Sequence, residues 1–438
     1  MPRLLARPLQ QFLQTEASGG VLLLIAAAGA LLWANIDPRS YETAWHTDLS
    51  VGLGRWTIDQ DLRHWINDAA MAVFFFVVGL EIKRELVSGE LRDRRAAILP
   101  VAAALGGMLV PALVYFSITA GTSGSRGWGI PMATDIAFAV GILAVVGRHL
   151  PSSLRLFLLT FAIVDDLGAI LVIAIFYSDG ISLAPLLLAA ALVLFIGLLR
   201  RAQIQAGFVY LVLGIGVWLA VFASGIHATI AGVALAFVTP ALAFQRPAAV
   251  SQEARRVAEE TSDEPSPADI DAPQWLHLAG LTRQAVSPLA RLEQALHPWT
   301  SFLIVPLFAL ANAGVRIGAD AFSDANSTRV MIAVALGLLI GKIAGITLGA
   351  LVASKLRMAQ LPSDVSWTQV VGVAAVGGVG FTVSLFIAGL AFDDVRLLEG
   401  AKLGILAGSV LAGIAGSLIL SRSRPRRMED HLDTANQP

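Results

Sequence analysis

Four ionisable residues lie deep in otherwise apolar runs. They are Asp135 in Thr134-Asp135-Ile136, the adjacent Asp165 and Asp166 in Ile163-Val-Asp-Asp-Leu-Gly168, and Lys342 in Gly341-Lys342-Ile343. Holding such a group in hydrocarbon costs at least ~2.5 kcal/mol, which marks each one as a candidate for function. Neighbouring positions on a helix point about 100° apart, so Asp165 and Asp166 border one cavity only if it wraps that side of the helix. Two carboxylates in a low dielectric repel and lose hydration, so a proton or a cation is wanted beside them. Their hard oxygens suit Na⁺ or Li⁺, and a proton competing for the same oxygens is sufficient chemistry for an exchanger. The plain alternative, a helix cap or a structural ion pair, sits poorly with the apolar residues on both sides of the pair. Lys342 has two compatible readings: a structural salt bridge, or a partner that releases Asp165 or Asp166 when a cation or proton arrives.

Membrane helices are needed to hold these groups, and the composition supplies them. Of 438 residues 56% are hydrophobic and 14% charged, with mean hydropathy +0.72. A water-facing surface for a chain this long needs nearer 25% charge, so an ordinary soluble enzyme is excluded. The net charge of −1 argues against nucleic acid as a partner. The absence of cysteine removes disulfides, thiolate metal sites and thiol catalysis. A bilayer core about 30 Å thick takes roughly 20 apolar residues per helix. Twelve such runs are expected, near 15–34, 62–82, 96–118, 125–147, 152–177, 183–200, 206–221, 224–241, 288–313, 329–353, 366–390 and 397–420. The boundary between the seventh and eighth is the least defined. The result is an all-α polytopic membrane protein.

Most of the 31 Lys and Arg fall on one side of these runs, leaving Arg39, Arg55, Arg63, Arg126, Arg316, Arg329 and Arg396 on the other. By the positive-inside bias both termini, 1–14 and 421–438, are cytoplasmic, with spans 1–8 over 15–241 and spans 9–12 over 288–420. The external segment 35–61, with Leu49, Val51, Leu53, Trp56 and Ile58 alternating around Gly52 and Gly54, reads as a small β-hairpin. A hairpin alone is marginal, so a partner chain is expected to pair with it. The cytoplasmic segment 242–287 is rich in Glu, Asp, Pro and Ala, lacks any run able to bury a core, and reads as disordered at its centre.

Glycine and proline mark two helix breaks. Gly127, Gly129 and Pro131 precede Thr134-Asp135, and Gly377, Gly378 and Gly380 precede Thr382. Close helix packing also explains many membrane glycines. Two clusters at comparable places in spans 3–5 and 10–12 favour inverted repeats whose broken helices cross at mid-membrane. Facing half-helices bring like dipole ends together, which Asp135 at the N-terminal ends and Lys342 at the C-terminal ends would offset.

At these residues the chain closely resembles the NhaA family of bacterial Na⁺/H⁺ antiporters. The matching stretches include Trp65-Ile-Asn-Asp-Ala-Ala-Met71 through Glu81-Ile-Lys-Arg-Glu-Leu86, Ala133-Thr-Asp-Ile-Ala-Phe138, Ile163-Val-Asp-Asp-Leu-Gly168, Ser224-Gly-Ile-His-Ala228, Leu296-His-Pro-Trp299, Ala311-Asn-Ala-Gly314, Gly380-Phe-Thr-Val-Ser384 and Ala401-Lys-Leu-Gly-Ile-Leu406. The resemblance implies that Asp165 and Asp166 carry Na⁺ and protons, that Asp135 and Thr134 line the site with the unwound segments, and that Lys342 pairs with Asp165. It implies electrogenic exchange of Na⁺ or Li⁺ for more than one proton, at the bacterial inner membrane, by a homodimer joined through the external hairpin. No cofactor is implied. Glu81, Arg84, Glu85, Glu293 and His297 match a cytoplasmic cluster associated with activation by pH, and His227 a position linked to pH response. From the residues alone His227 reads as a satisfied interior imidazole. Two departures bear on the pH set-point and coupling: Ile343 follows the lysine where the family usually has proline, and Gln294 stands where a titratable histidine occurs in the best-known member. The insertion at 242–287 is also atypical.

Three other functions were weighed on the residues. An intramembrane aspartyl protease could draw a dyad from Asp135 and Asp165. The Gly-x-Gly-Asp context is missing, and a nearby lysine would keep a carboxylate ionised. An ATP-driven pump fails because Gly337–Ile343 lacks the phosphate-loop spacing and no nucleotide domain is present. A passive cation channel is distinguished only by strict coupling of Na⁺ to opposite proton flux.

Overall fold

The computed structural model describes residues 2–53, 56–146, 150–178, 180–202, 207–260, 272–318 and 324–423. Among the described residues eight helices are long and apolar enough to cross a membrane: Ser18–Ile36, Leu62–Ser88, Arg94–Thr119, Ser152–Phe176, Leu183–Arg201, Pro288–Asn312, Ala325–Lys355 and Val395–Arg422. Two more crossings are bent pairs: Ser123–Met132 with Ile136–Val146, at 45°, and Trp367–Val376 with Phe381–Ala391, at 49°. Gly207–Ala223 and Thr229–Val238 are shorter apolar helices. These elements fall at the twelve expected runs. The eighth is shorter than expected because Gly225 adopts φ 80 and the chain from Ser224 turns before it becomes helical at Thr229.

The first helix runs from Pro2 to Ile36, with Ser18–Ile36 its long apolar part. Two expectations are corrected. The segment 35–61 is only half hairpin. Asp37 caps a helix, Pro38–Trp45, by accepting from the Ser40 N–H at 3.1 Å, and Tyr41 and Trp45 pack one turn apart against Trp33. The hairpin follows, Asp48–Leu53 antiparallel to Trp56–Asp61, in register from Asp48 opposite Asp61 to Leu53 opposite Trp56. Its tip, with Gly54, lies outside the described residues. The insertion at 242–287 carries two helices, Pro247–Glu260 and Ala272–Gln284, joined through buried Val250, Val257 and Leu278. Apolar residues at helical spacing thus do bury a small core in an acidic stretch. Its centre, 261–271, and the tail from 424 lie outside the described residues.

Two features of this frame seat the charged residues. The helices Arg94–Thr119 and Ala325–Lys355 approach at Gly106 and Gly345, where a Cβ on Gly345 would strike the Gly106 carbonyl. The tenth span also carries a π-helical turn, Gly337–Gly341, directly before Lys342. Such a turn shifts the phase of everything after it and is frequent at functional sites. Apolar clusters lie on both sides of the crossing. One includes Phe75, Phe308, Phe386, Leu338 and Val379; the other includes Leu99, Phe157, Phe161, Ile346 and Val373.

Candidate functional site

The two breaks meet. The Asp135 N–H donates to the Val379 carbonyl at 2.7 Å, and the Thr134 hydroxyl donates to the Gly377 carbonyl at 2.8 Å. Residue 378 has to be glycine, because a Cβ there would strike the Leu338 carbonyl of the tenth span. Each unwound stretch therefore satisfies part of the other's backbone, which hydrocarbon could not do.

Opposite charges sit at opposite ends of the crossing. One Asp135 oxygen accepts from the Phe138 N–H at 3.2 Å. The other accepts from the Thr382 N–H at 3.0 Å and the Thr382 hydroxyl at 2.5 Å. The carboxylate thus closes the N-terminal ends of both outgoing half-helices, Ile136–Val146 and Phe381–Ala391. Lys342 is wholly buried. Its Nζ donates to the Thr134 hydroxyl at 3.0 Å and to Asp165 Oδ2 at 2.7 Å. Through Thr134 the ammonium acts on the Gly377 carbonyl, at the C-terminal end of Trp367–Val376.

The aspartate pair is split by its 100° offset. Asp165 turns back to Lys342, while Asp166 lines a cavity of about 70 Å³. Thr134, Asp135 and Thr382 line the same cavity, and so do Glu81, His297, Thr300 and Ser301 towards its other end. About 10–15 Å³ of such space holds one water, so the cavity has room for a small cation with part of its hydration. Both carboxylates are buried, and Oδ1 of Asp165 and Oδ1 of Asp166 have no hydrogen-bond partner among the described residues. Buried oxygens without donors are the groups a cation or proton would satisfy.

The pH-response candidates divide into two places. Glu81 and His297 reach the cavity; beside them Arg84 pairs with Glu293, and its Nη2 lies 3.6 Å from Glu85 Oε1. His227 is elsewhere. It lies in the turn before Thr229, with Nδ1 3.0 Å from the Thr229 hydroxyl, Nε2 3.6 Å from Asp68 Oδ1, and its ring edge-on to Phe386 at 5.0 Å. Asp68 and Glu81 share one helix, 13 positions and so roughly 20 Å apart, which puts the two groups towards opposite faces.

Sequence reasoning missed Thr382 and Ser384, whose hydroxyl donates to the Ile130 carbonyl at 2.7 Å. The available signal was symmetry: Thr382 opens the half-helix after the second break as Asp135 precedes the one after the first. The glycines of the first run do not form the break. A Cβ on Gly129 would meet the Tyr177 hydroxyl at 2.8 Å, which is close packing, and the chain unwinds at Ala133–Asp135 instead.

Residues 10–420 match the family model described as Na⁺/H⁺ antiporter 1. A Na⁺/H⁺ antiporter NhaA 2 of Sorangium cellulosum is 44% identical over 96% of this chain and 90% of its own length. The NhaA antiporters of Oleidesulfovibrio alaskensis and Cupriavidus necator are 45% and 44% identical, over 95% and 96% of this chain and 94% and 92% of theirs. With crossed broken helices, a buried aspartate pair and a lysine holding one of the two already in place, the chain belongs to the NhaA family of Na⁺/H⁺ antiporters.

Proposed function

We propose that this chain exports cytoplasmic Na⁺ or Li⁺ in exchange for more than one external proton, electrogenically, by alternating access across the bacterial inner membrane. The observation that carries the reading is the split pair: Asp166 faces the cavity while Asp165 is held by Lys342. A cation entering from the Glu81–His297 end takes the free oxygens of Asp166 and Asp165 as ligands, with the hydroxyls of Thr134 or Thr382 in reach of the same space. Asp166 gives up its proton as the cation binds, and binding to Asp165 displaces Lys342, whose ammonium releases a second proton to the cytoplasmic side. On the external side one proton returns to Asp166 and another to the Asp165–Lys342 pair as it closes again. Two protons against one Na⁺ move one net charge per cycle.

The aspartyl protease reading needs Asp135 and Asp165 to act on one another. Asp135 is engaged by Thr382 and two helix ends and Asp165 by a lysine, so neither favours it. The cluster of Glu81, Arg84, Glu85, Glu293 and His297 at the cavity mouth supports a role in pH regulation. The exposed Leu49 and Val51 of the hairpin support its pairing with a second copy. Everted vesicles energised to an acid interior test the function: added Na⁺ or Li⁺ should dissipate the gradient and K⁺ should not. Full activity in Asp166→Asn, or Na⁺ flux uncoupled from protons, overturns it.

A further inference from the structure

The cytoplasmic insertion has work to do that transport does not explain. Its second helix, Ala272–Gln284, turns Leu278 inward against Val250 and Val257 of the first. Beside it, Trp275, Ala279 and Arg283 fall within about 80° of one another at 100° per residue, with Leu276 at the far edge and Val286 just past the helix end. Trp275 is 47% exposed and Leu276 73%. Trp275, Ala279, Thr282, Arg283 and Val286 line an open groove here, which Leu278 also borders.

Two observations say what covers it. The first is reach. The insertion leaves the eighth span at Val238 and rejoins the ninth at Pro288, only three residues after Gln284. Bonds from Phe244 and Gln245 N–H to the Gln284 carbonyl, both 3.1 Å, pin the end of the second helix to the start of the insertion. Both ends are therefore held at the bilayer surface. The second is charge. The helix Ala272–Gln284 contains no acidic residue. Arg283 lies within electrostatic reach of Arg291, and Arg246 opens the insertion. None of these three arginines has a carboxylate partner among the described residues, whereas on the first helix Arg256 meets Glu253 at 2.5 Å. An exposed Trp beside unpaired arginines, held at the membrane boundary, suits the headgroup region of an anionic leaflet.

We infer that the Trp275–Val286 face of the insertion docks on the cytoplasmic leaflet of the chain's own membrane, with Arg283 and Arg291 on anionic lipid headgroups. It rests on the cytoplasmic orientation proposed above but not on the transport reaction. The helix lies along the bilayer with Trp275 and Leu276 below the headgroups, while the acidic residues of the first helix stay in water.

Because the chain has no cysteine, one can be placed at will. Ala279→Cys in the full-length protein, labelled with an environment-sensitive fluorophore, is reconstituted in vesicles with and without phosphatidylglycerol and with a shallow spin-labelled lipid as quencher. Glu253→Cys on the first helix is the reference. The expected result is at least twofold stronger quenching at 279 than at 253 in phosphatidylglycerol vesicles, reduced by high salt and by Arg283→Gln with Arg291→Gln. Folding of every variant is checked by its melting curve. Equal quenching at 279 and 253, or quenching at 279 indifferent to lipid charge, salt and both arginines, overturns the inference. So does quenching that appears only after removal of residues 424–438, which would give the face to the tail.

Discussion

Removing Lys342 should cost far more than removing the Lys342–Asp165 pair. The ammonium and the carboxylate lie 2.7 Å apart with 0% and 1% of their side chains exposed, so neither can turn to water when the other is deleted. Truncating one partner of a buried pair costs about 3–5 kcal/mol, most of it the stranded charge. Lys342→Met strands Asp165, and Asp165→Asn strands Lys342, so independent effects would sum to roughly 6–10 kcal/mol. The double variant strands nothing. It loses one charge-assisted bond and should stand within about 3 kcal/mol of the parent. The coupling is then at least ~3 kcal/mol. Denaturant titration of the four proteins in mild detergent closes the cycle, and everted vesicles report Na⁺-driven proton movement for each. The double variant should be stable and inactive. A double variant as unstable as the two singles summed would refute the pair as drawn here.

Three further outcomes follow from particular contacts. Thr382→Val keeps the shape but removes the hydroxyl held by Asp135 at 2.5 Å, so it should cost about 1.5–3 kcal/mol and weaken Na⁺ activation in vesicles; Thr382→Ser should restore both. Burial pushes the Asp61 carboxyl up, but the His64 N–H at 2.7 Å and the His64 ring outweigh it and hold the carboxyl below its ordinary value. A group so held contributes stability above its unfolded value, around pH 4, and loses it as pH falls through the lower folded one, so the protection of the His64 amide, relative to its intrinsic exchange rate, should fall only in acid. If the proposed hairpin-mediated dimer forms, deleting 48–61 should leave a monomer on size exclusion with light scattering while Na⁺-driven exchange stays measurable, since no hairpin residue lines the cavity.

The crossing explains why charge is tolerated here at all. Four half-helices end at one level, and each end leaves backbone groups that hydrocarbon cannot serve. Thr134 shows how little extra is needed. Its hydroxyl accepts from Lys342 and donates to Gly377, so a neutral side chain carries the positive charge to a helix C-terminus without placing the ammonium there. Lys342 stays free to serve Asp165. A valine at 134 would sever that link and force the lysine to choose.

How much of this was legible in the sequence depended on whether the cause was local. Asp135, Asp165, Asp166 and Lys342 stood out because each opposes its apolar neighbours, and opposition to the surroundings is visible one residue at a time. The helix Pro38–Trp45 was obscured by reading the alternation of 49–58 back across a segment whose own signals, Asp37-Pro38 and the four-residue spacing of Tyr41 and Trp45, were helical. The core of the insertion was missed for a related reason. Val250, Val257 and Leu278 are too few to register in composition, yet at spacings of seven on one helix and opposite a leucine on the next they bury one another. Thr382 was hidden more deeply: a threonine in an apolar span is unremarkable until another segment, 247 residues away, aims a carboxylate at it. Which of two adjacent aspartates faces the lysine depends on the helical phase of two distant segments, and the π-helical turn before Lys342 changes one of those phases with no residue pattern in Gly337–Gly341 to announce it.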